Sequence, residues 1–320
     1  MEKSRILSGI KPTGRLHIGN YFAMMRPAIQ WQEKGEALYF IADYHALTTL
    51  RDPAKLREYS GLVARDFLAC GLDPSKAVLF RQSDVPSVTE LAWLLSTVTP
   101  MGLLERCHAY KDYLARGIPP SHGLFAYPVL MAADILIYDS DIVPVGRDQK
   151  QHIEVTRDIA VKMNETFGEI FKLPEPSILP DVAAIPGLDG QKMSKSYDNT
   201  VELFLEEKAL KKKIMGIVTD STPVESPKDP AHSSILALYR LFASAPEVSQ
   251  MENEFASGGV GYGDFKKRLF AAIWEYLAPM RARRAGMDPG HVEEVLQAGA
   301  RRANQLAAQT MARVRRAVGL

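Results

Sequence analysis

A parallel α/β sheet of Rossmann type, followed by an all-helical C-terminal region, is the fold this sequence predicts. Three observations carry that reading. Short apolar runs of strand length alternate with helical patterns through the first half of the chain. The run Ala37 to Ala42 is apolar without interruption, as strands covered on both faces are. Beyond Thr200 strand patterns disappear and only helical periodicity remains.

The elements follow in order. Arg5 to Ser8 reads as a first strand, and a glycine-bearing turn leads to a helix expected from about Leu16 through Met25. After the strand Ala37 to Ala42 come Asp43, Tyr44 and His45, polar groups at a strand's carboxyl end, the edge where doubly wound sheets bind ligands. Asp52 with Pro53 starts a helix that Gly71 ends. Ala77 to Phe80 is the next strand, and Ser87 with Glu90 has the spacing of a capping box. Residues 100 to 140 read as helical, with breaks expected at Gly117 to Pro120 and at Pro128. Asp141 to Val145 is a strand, and Gly146 to Gln149 opens a helix to about Phe167. Leu173 to Pro186 reads as a proline-rich loop. Helices are expected over 201–215, 233–242, 264–280 and 291–318, giving a sheet domain over 1–200 and a helical domain over 201–320.

With 320 residues, 46% apolar and 24% charged, the chain has ordinary globular composition. No secretory leader follows Met1, and no apolar run reaches membrane-spanning length, so a cytoplasmic protein is expected. Two distant cysteines, Cys70 and Cys107, support neither a disulfide framework nor a cysteine-rich metal site. A net charge of +1 hides an asymmetry: Asp264 to Leu320 carries eleven Lys/Arg against five Asp/Glu, a net of +6. That excess suggests a polyanion partner, with Arg301, Arg302, Arg313, Arg315 and Arg316 facing outward from the last helix.

The turn Ser8 to Asn20 is the chemical centre of the sequence. A strand running into a helix N-terminus offers unpaired backbone N–H groups to an anion, most plausibly a phosphate. Gly9 and Gly14 have the spacing of a phosphate-cradling loop, but Arg15 and Leu16 stand where such loops need Lys and Ser/Thr. What remains is His17-Ile18-Gly19-Asn20. Far along the chain, Lys192-Met193-Ser194-Lys195-Ser196 brings two flexible cations to a glycine- and aspartate-bearing loop.

This pair of motifs resembles the two signatures of the class I aminoacyl-tRNA synthetases. Tyr127 to Leu136, Asp43 to Thr48 and Ile142 to His152 further resemble bacterial tryptophanyl-tRNA synthetases. The resemblance implies formation of tryptophanyl-adenylate from ATP and L-tryptophan, transfer to tRNA(Trp), magnesium carried by the nucleotide, and a homodimer, with neither DNA nor a membrane as partner. His17, Lys192 and Lys195 are the implied catalytic residues. Lys11, Pro12, Thr13, His17, Gly19, Asn20, Gly146, Arg147, Asp148, Ile185 and Lys192 to Ser196 (including Met193 and Ser194) are the implied ATP contacts. Asp134, Met131, Tyr127, His45 and Gln149 are the implied tryptophan contacts.

Asp134 sits in an otherwise apolar helical run and needs a donor, because an unpaired buried charge is very costly. Either a neighbouring group inside the fold or the indole N–H of the substrate meets that need. Lys11 stands where many relatives have Gln, and Arg147 where many have Glu. A tyrosyl-tRNA synthetase and a catalytically silent paralogue that senses amino acid or tRNA are the alternatives. The 320 residues leave no stretch for a separate editing domain.

Overall fold

The computed structural model describes residues 4–146, 149–178 and 185–320. Five strands form one parallel sheet: β1 (Arg5–Ile10), β2 (Glu36–Ile41), β3 (Ala77–Arg81), β4 (Ile142–Val145) and β5 (Glu175–Ile178). Their order is β3-β2-β1-β4-β5. The predicted α/β class and four of the five strands are therefore as the sequence indicated. β5 falls inside the tract read as a loop. Its Pro176 cannot donate to a ladder, which is tolerable because β5 is an edge strand paired only with β4.

By their internal contacts the residues fall into two compact units, one comprising 1–14, 27–180 and 287–320, the other 15–26 and 181–286. This differs from the division expected at residue 200. The sheet and its helices make up the first unit. The last helix, Pro289–Val318, belongs to it rather than to a helical domain, and lies along edge strand β3. Gly299 makes that possible: an added Cβ would stand 1.9 Å from the carbonyl oxygen of Leu79. Leu306, Ala307, Met311 and Val314 then join the core formed by Leu7, Leu38, Phe80, Leu91 and Tyr138.

The outward arginines of this helix are largely occupied. Arg302 pairs with Glu36 at 2.6 Å and Arg313 with Asp139 at 2.6 Å, and Arg315 donates from Nε to Glu90 at 2.7 Å. Glu90 therefore does not close the capping box with Ser87. The helix there runs Ser87–Ser96 with Pro86 as its cap and no side-chain cap bond. Pro128 does not break its helix either, which continues over His122–Leu136. By contrast Asp52 caps the helix Pro53–Ala69 through the N–H groups of Ala54 and Lys55, as its sequence indicated.

The second unit is helical. Its helices are Glu207–Met215, Ser234–Tyr239, Ala245–Ser257, Tyr262–Tyr276 and Ala278–Ala285. Helix formation expected from Val201 begins only at Glu207, because 201–203 is used as an extended segment described below. Ile18–Asn20 and a π-helical turn over Tyr21–Met25 belong to this unit, where Tyr21 and Phe22 pack edge-on with Tyr276 and Phe242.

Gly299→Ala is expected to destabilise the protein by about 1–3 kcal/mol or more, since the methyl group meets backbone that cannot rotate away. Urea denaturation of the two proteins checks this; an unchanged midpoint would mean that the helix does not depend on this close approach.

Candidate active site

In the first unit, β1 and β4 lie side by side, but the chain goes on from β1 to β2 and β3 on one flank and from β4 to β5 on the other. Their carboxyl ends mark the switch point at which open α/β sheets bind ligands. Lys11, Pro12, Thr13 and Gly14 emerge there from β1. Gly14 has φ +132°, and the N–H of Thr13 donates to the Lys11 carbonyl at 3.0 Å. Gly146 and Gln149 emerge from β4, with Gln149 immediately before the helix Lys150–Phe167. Arg147 and Asp148 lie outside the described residues. Gly9 serves packing rather than a ligand, because a Cβ there would meet the Phe40 ring at 2.4 Å.

Near these loops stands a buried polar cluster. Tyr127, Met131 and Asp134 follow one another at spacings of four and three residues on the helix His122–Leu136, so they share one face. Asp134 is 1% exposed. Its Oδ2 accepts from Nε2 of His45 at 2.8 Å, and Nε2 of Gln82 donates to both carboxylate oxygens at 2.8 and 2.9 Å. Of the two ways to satisfy Asp134, the internal one is thus present, and a carboxylate with about four acceptor positions keeps capacity for one more donor. Burial raises the Asp134 pKa against the opposing hydrogen bond from His45.

The Tyr127 hydroxyl lies 3.1 Å from Nε2 of His152, and burial pushes the phenol up to about 12, keeping it protonated. The ring of Tyr127 stands edge-on to His45 at 6.2 Å and receives the Lys11 ammonium 5.4 Å from its centroid. Desolvation lowers the Lys11 pKa.

The two signature motifs are brought together in the second unit, although some 175 residues separate them. Leu16 to Ile18 pairs with Val201 to Leu203 as two short antiparallel segments: Ile18 N–H donates to the Val201 carbonyl at 2.9 Å, and Leu203 N–H to the Leu16 carbonyl at 2.8 Å. His17 caps the turn that follows. Its Nδ1 accepts from the Asn20 N–H at 3.3 Å, and Oδ1 of Asn20 accepts from the His17 N–H at 3.2 Å. With Nδ1 an acceptor, the ring proton sits on Nε2. Burial, and then the charge of Lys195, push the His17 pKa down to about 4, so the imidazole is a neutral donor near pH 7. Gly19 is required by this arrangement, as a Cβ would come within 2.9 Å of the His17 ring.

The lysine loop is built on apolar and amide anchors. Met193 and Ile185 are buried, and the Met193 N–H donates to the Ile185 carbonyl at 2.8 Å. Met193 acts as the apolar foot of the loop. Lys192 is exposed, and Lys195 opens a 3₁₀ turn to Tyr197. Desolvation lowers the Lys195 pKa, opposed by the charge of Glu202. The side chain of Ser196 lies outside the described residues.

Two residues that matter here were missed in the sequence. Gln82, the residue after β3, holds both oxygens of Asp134. It occupies the kind of strand-end position that drew attention to Asp43, and the same rule would have found it. Asn199 is buried at the foot of the lysine loop, and its amide bonds give no periodic signal.

Residues 1–278 match the family described as tRNA synthetases class I (W and Y). The chain is 56% identical to the tryptophan--tRNA ligase of Rhodopirellula baltica over 99% of each chain. With that of Fusobacterium nucleatum it shares 51% identity over 99% of this chain and 98% of the relative. The chain belongs to the bacterial-type tryptophanyl-tRNA synthetases. Among solved members of that family, the Campylobacter jejuni tryptophanyl-tRNA synthetase complexed with ADP and tryptophan superposes with a TM-score of 0.93. It has 47% identity and covers 99% of this chain and 100% of that one.

In this tryptophanyl-tRNA synthetase the charge of His17 does not change with pH near neutrality. Its depressed pKa means that the unfolded chain binds the extra proton between about pH 6.5 and 4, so stability rises with pH across that window and is lost as pH falls through it. An NMR titration of the His17 ring is expected to show a midpoint near 4, moving upward in Lys195→Ala. A midpoint near 6.5 would contradict the burial and charge argument.

Proposed function

We propose that this chain activates L-tryptophan with ATP as tryptophanyl-adenylate and transfers it to tRNA(Trp) for protein synthesis, with the residues acting as follows. The tryptophan carboxylate is itself the nucleophile at the α-phosphorus, and pyrophosphate leaves. The protein therefore has to align the reactants and stabilise charge on the departing phosphates. The observation that carries the reading is the junction of Leu16 to Ile18 with Val201 to Leu203, which brings a neutral donor, His17, and the mobile cations of one loop into a single unit. Such a set stabilises transferring phosphates and offers no nucleophile of its own. Lys192 and Lys195 clamp the phosphates. Lys11, Pro12, Thr13, Gly19, Asn20, Gly146, Ile185, Met193 and Ser194 complete the nucleotide contacts, and magnesium arrives with the nucleotide.

In this reading Tyr127, Met131, His45 and Gln149 surround tryptophan, and Asp134 accepts from the indole N–H through the capacity that His45 and Gln82 leave. Full-length identity to tryptophan ligases speaks against the tyrosyl alternative, and the presence of His17, Lys192 and Lys195 together speaks against a silent paralogue. A cytoplasmic homodimer is the expected form. Exposed Trp93, at 71%, and Leu47 beside a cleft of about 400 Å³ support a second copy as the covering partner. The exposed part of the +6 C-terminal stretch, Arg301 included, is the proposed tRNA surface.

Amino-acid-dependent ATP–pyrophosphate exchange, run with each of the twenty amino acids, tests the assignment; tryptophan alone is expected to give full activity. Asp134→Asn is expected to narrow the preference for tryptophan over phenylalanine while retaining an acceptor for His45 or Gln82. If the specificity constants for both amino acids fall by one factor, Asp134 serves the fold and not the indole.

Arg301 is exposed and has no ion-pair partner among the described residues, whereas Arg302 holds Glu36. Arg301→Gln is expected to weaken tRNA binding and reduce its salt slope by about one unit with exchange activity intact. Arg302→Gln is expected instead to lower stability by under about 1 kcal/mol, the range for exposed pairs. Filter binding at several salt concentrations and urea denaturation distinguish the two effects.

A further inference from the structure

Asn199 is 3% exposed and sits three residues past the last letter of the lysine motif. Every polar atom of its side chain is committed to the loop before it. Oδ1 accepts from the Ser194 N–H at 2.8 Å, while Nδ2 donates to the Lys192 carbonyl at 3.1 Å and to Oδ1 of Asp189 at 2.8 Å. Its backbone carbonyl accepts from the Leu188 N–H at 2.9 Å. Oδ1 of Asp189 also accepts from the Gln191 N–H at 3.0 Å, so one carboxylate and one amide together fix the chain from Leu188 to Ser194. The fit is tight, because a Cβ on Gly187 would lie 2.3 Å from the amide carbon of Asn199.

On its other side, Asn199 is two residues from Val201, whose carbonyl accepts from the N–H of Ile18 directly after His17. The same side chain thus grips the backbone on both sides of Met193, and its own backbone continues into the segment that carries the His17 cap. A buried amide with fixed partners holds geometry far better than the flexible stems of Lys192 and Lys195 could alone.

We propose that Asn199, braced by Asp189, is a positioning residue for amino acid activation: it sets where Lys192 and Lys195 stand with respect to His17, and so acts on the rate through the lysines without touching substrate. This rests on the assignment of the lysine loop to the transferring phosphates. A loop shifted by about 1 Å can lower such a rate on the order of 100-fold.

The test compares pyrophosphate exchange, tryptophan binding and thermal unfolding for wild type, Asn199→Ala, Lys195→Ala and the double variant. Asn199→Ala is expected to lower kcat by about 10–100-fold with the KM for tryptophan and its Kd unchanged, and to have little further effect in the Lys195→Ala background. Asn199→Asp keeps the acceptor for Ser194, loses the donor to Lys192 and faces Asp189 with like charge. It is expected to show the same loss of kcat, and it serves if the alanine variant does not fold. An Asn199 variant with wild-type kcat overturns the proposal, as does a loss that multiplies fully with Lys195→Ala, or one that follows a weakened affinity for tryptophan. Full exchange activity in Lys195→Ala would instead overturn the assignment of the loop itself.

Discussion

The parallel pairing of β1 with β2 on one side and β4 on the other is the constraint on which the first unit depends. Parallel strands must be joined by crossovers, and a chain that winds first one way and then the other leaves the carboxyl ends of the neighbouring strands β1 and β4 uncrossed by either set of connections. Lys11 to Gly14 and Gly146 occupy that opening because they are the residues that follow those strands. The same rule puts Asp43 to His45 after β2 and Gln82 after β3. From there His45 and Gln82 reach Asp134 on the helix His122–Leu136.

Electrostatics at the site follow from removing water around a few polar groups and then pairing them. Asp134 is the extreme case, almost wholly buried, with donors on both oxygens. A carboxylate so held has its orientation fixed by the fold itself. His17 shows the opposite use of burial. Desolvation and the neighbouring Lys195 suppress its charge, so it donates as a neutral group, while the lysines supply positive charge. Neutral donor and cation are thereby kept distinct although the charge of Lys195 acts on the His17 ring.

The last helix shows how a charge excess can mislead. Eleven cations between Asp264 and Leu320 look like a surface for a polyanion, yet Arg302, Arg313 and Arg315 hold Glu36, Asp139 and Glu90. Each exposed pair contributes little energy alone. Together with Gly299 against Leu79, they fix the register in which the helix lies on the sheet.

Local pattern by itself determined the α/β class, four strands, the cap at Asp52, the long last helix and the two motifs that carry the family resemblance. Each of these is set by chemistry within a few residues: alternation or continuity of apolar side chains, a side chain capping its own turn, or a short string of donors. Tertiary structure alone decided the rest. Strand β5 is invisible because prolines erase its pattern and its edge position excuses them. Glu90 prefers Arg315, 225 residues away, to the cap three residues before it. Val201 to Leu203 is extended because Leu16 and Ile18 supply its backbone partners. Amphipathic periodicity says that the last helix has a buried face but not what buries it, and nothing near Gly299 in the chain announces the Leu79 carbonyl that it must let approach. Periodicity and capping are read along the chain, whereas a partner for a buried group or a missing Cβ is chosen across it, and only the folded structure brings the two together.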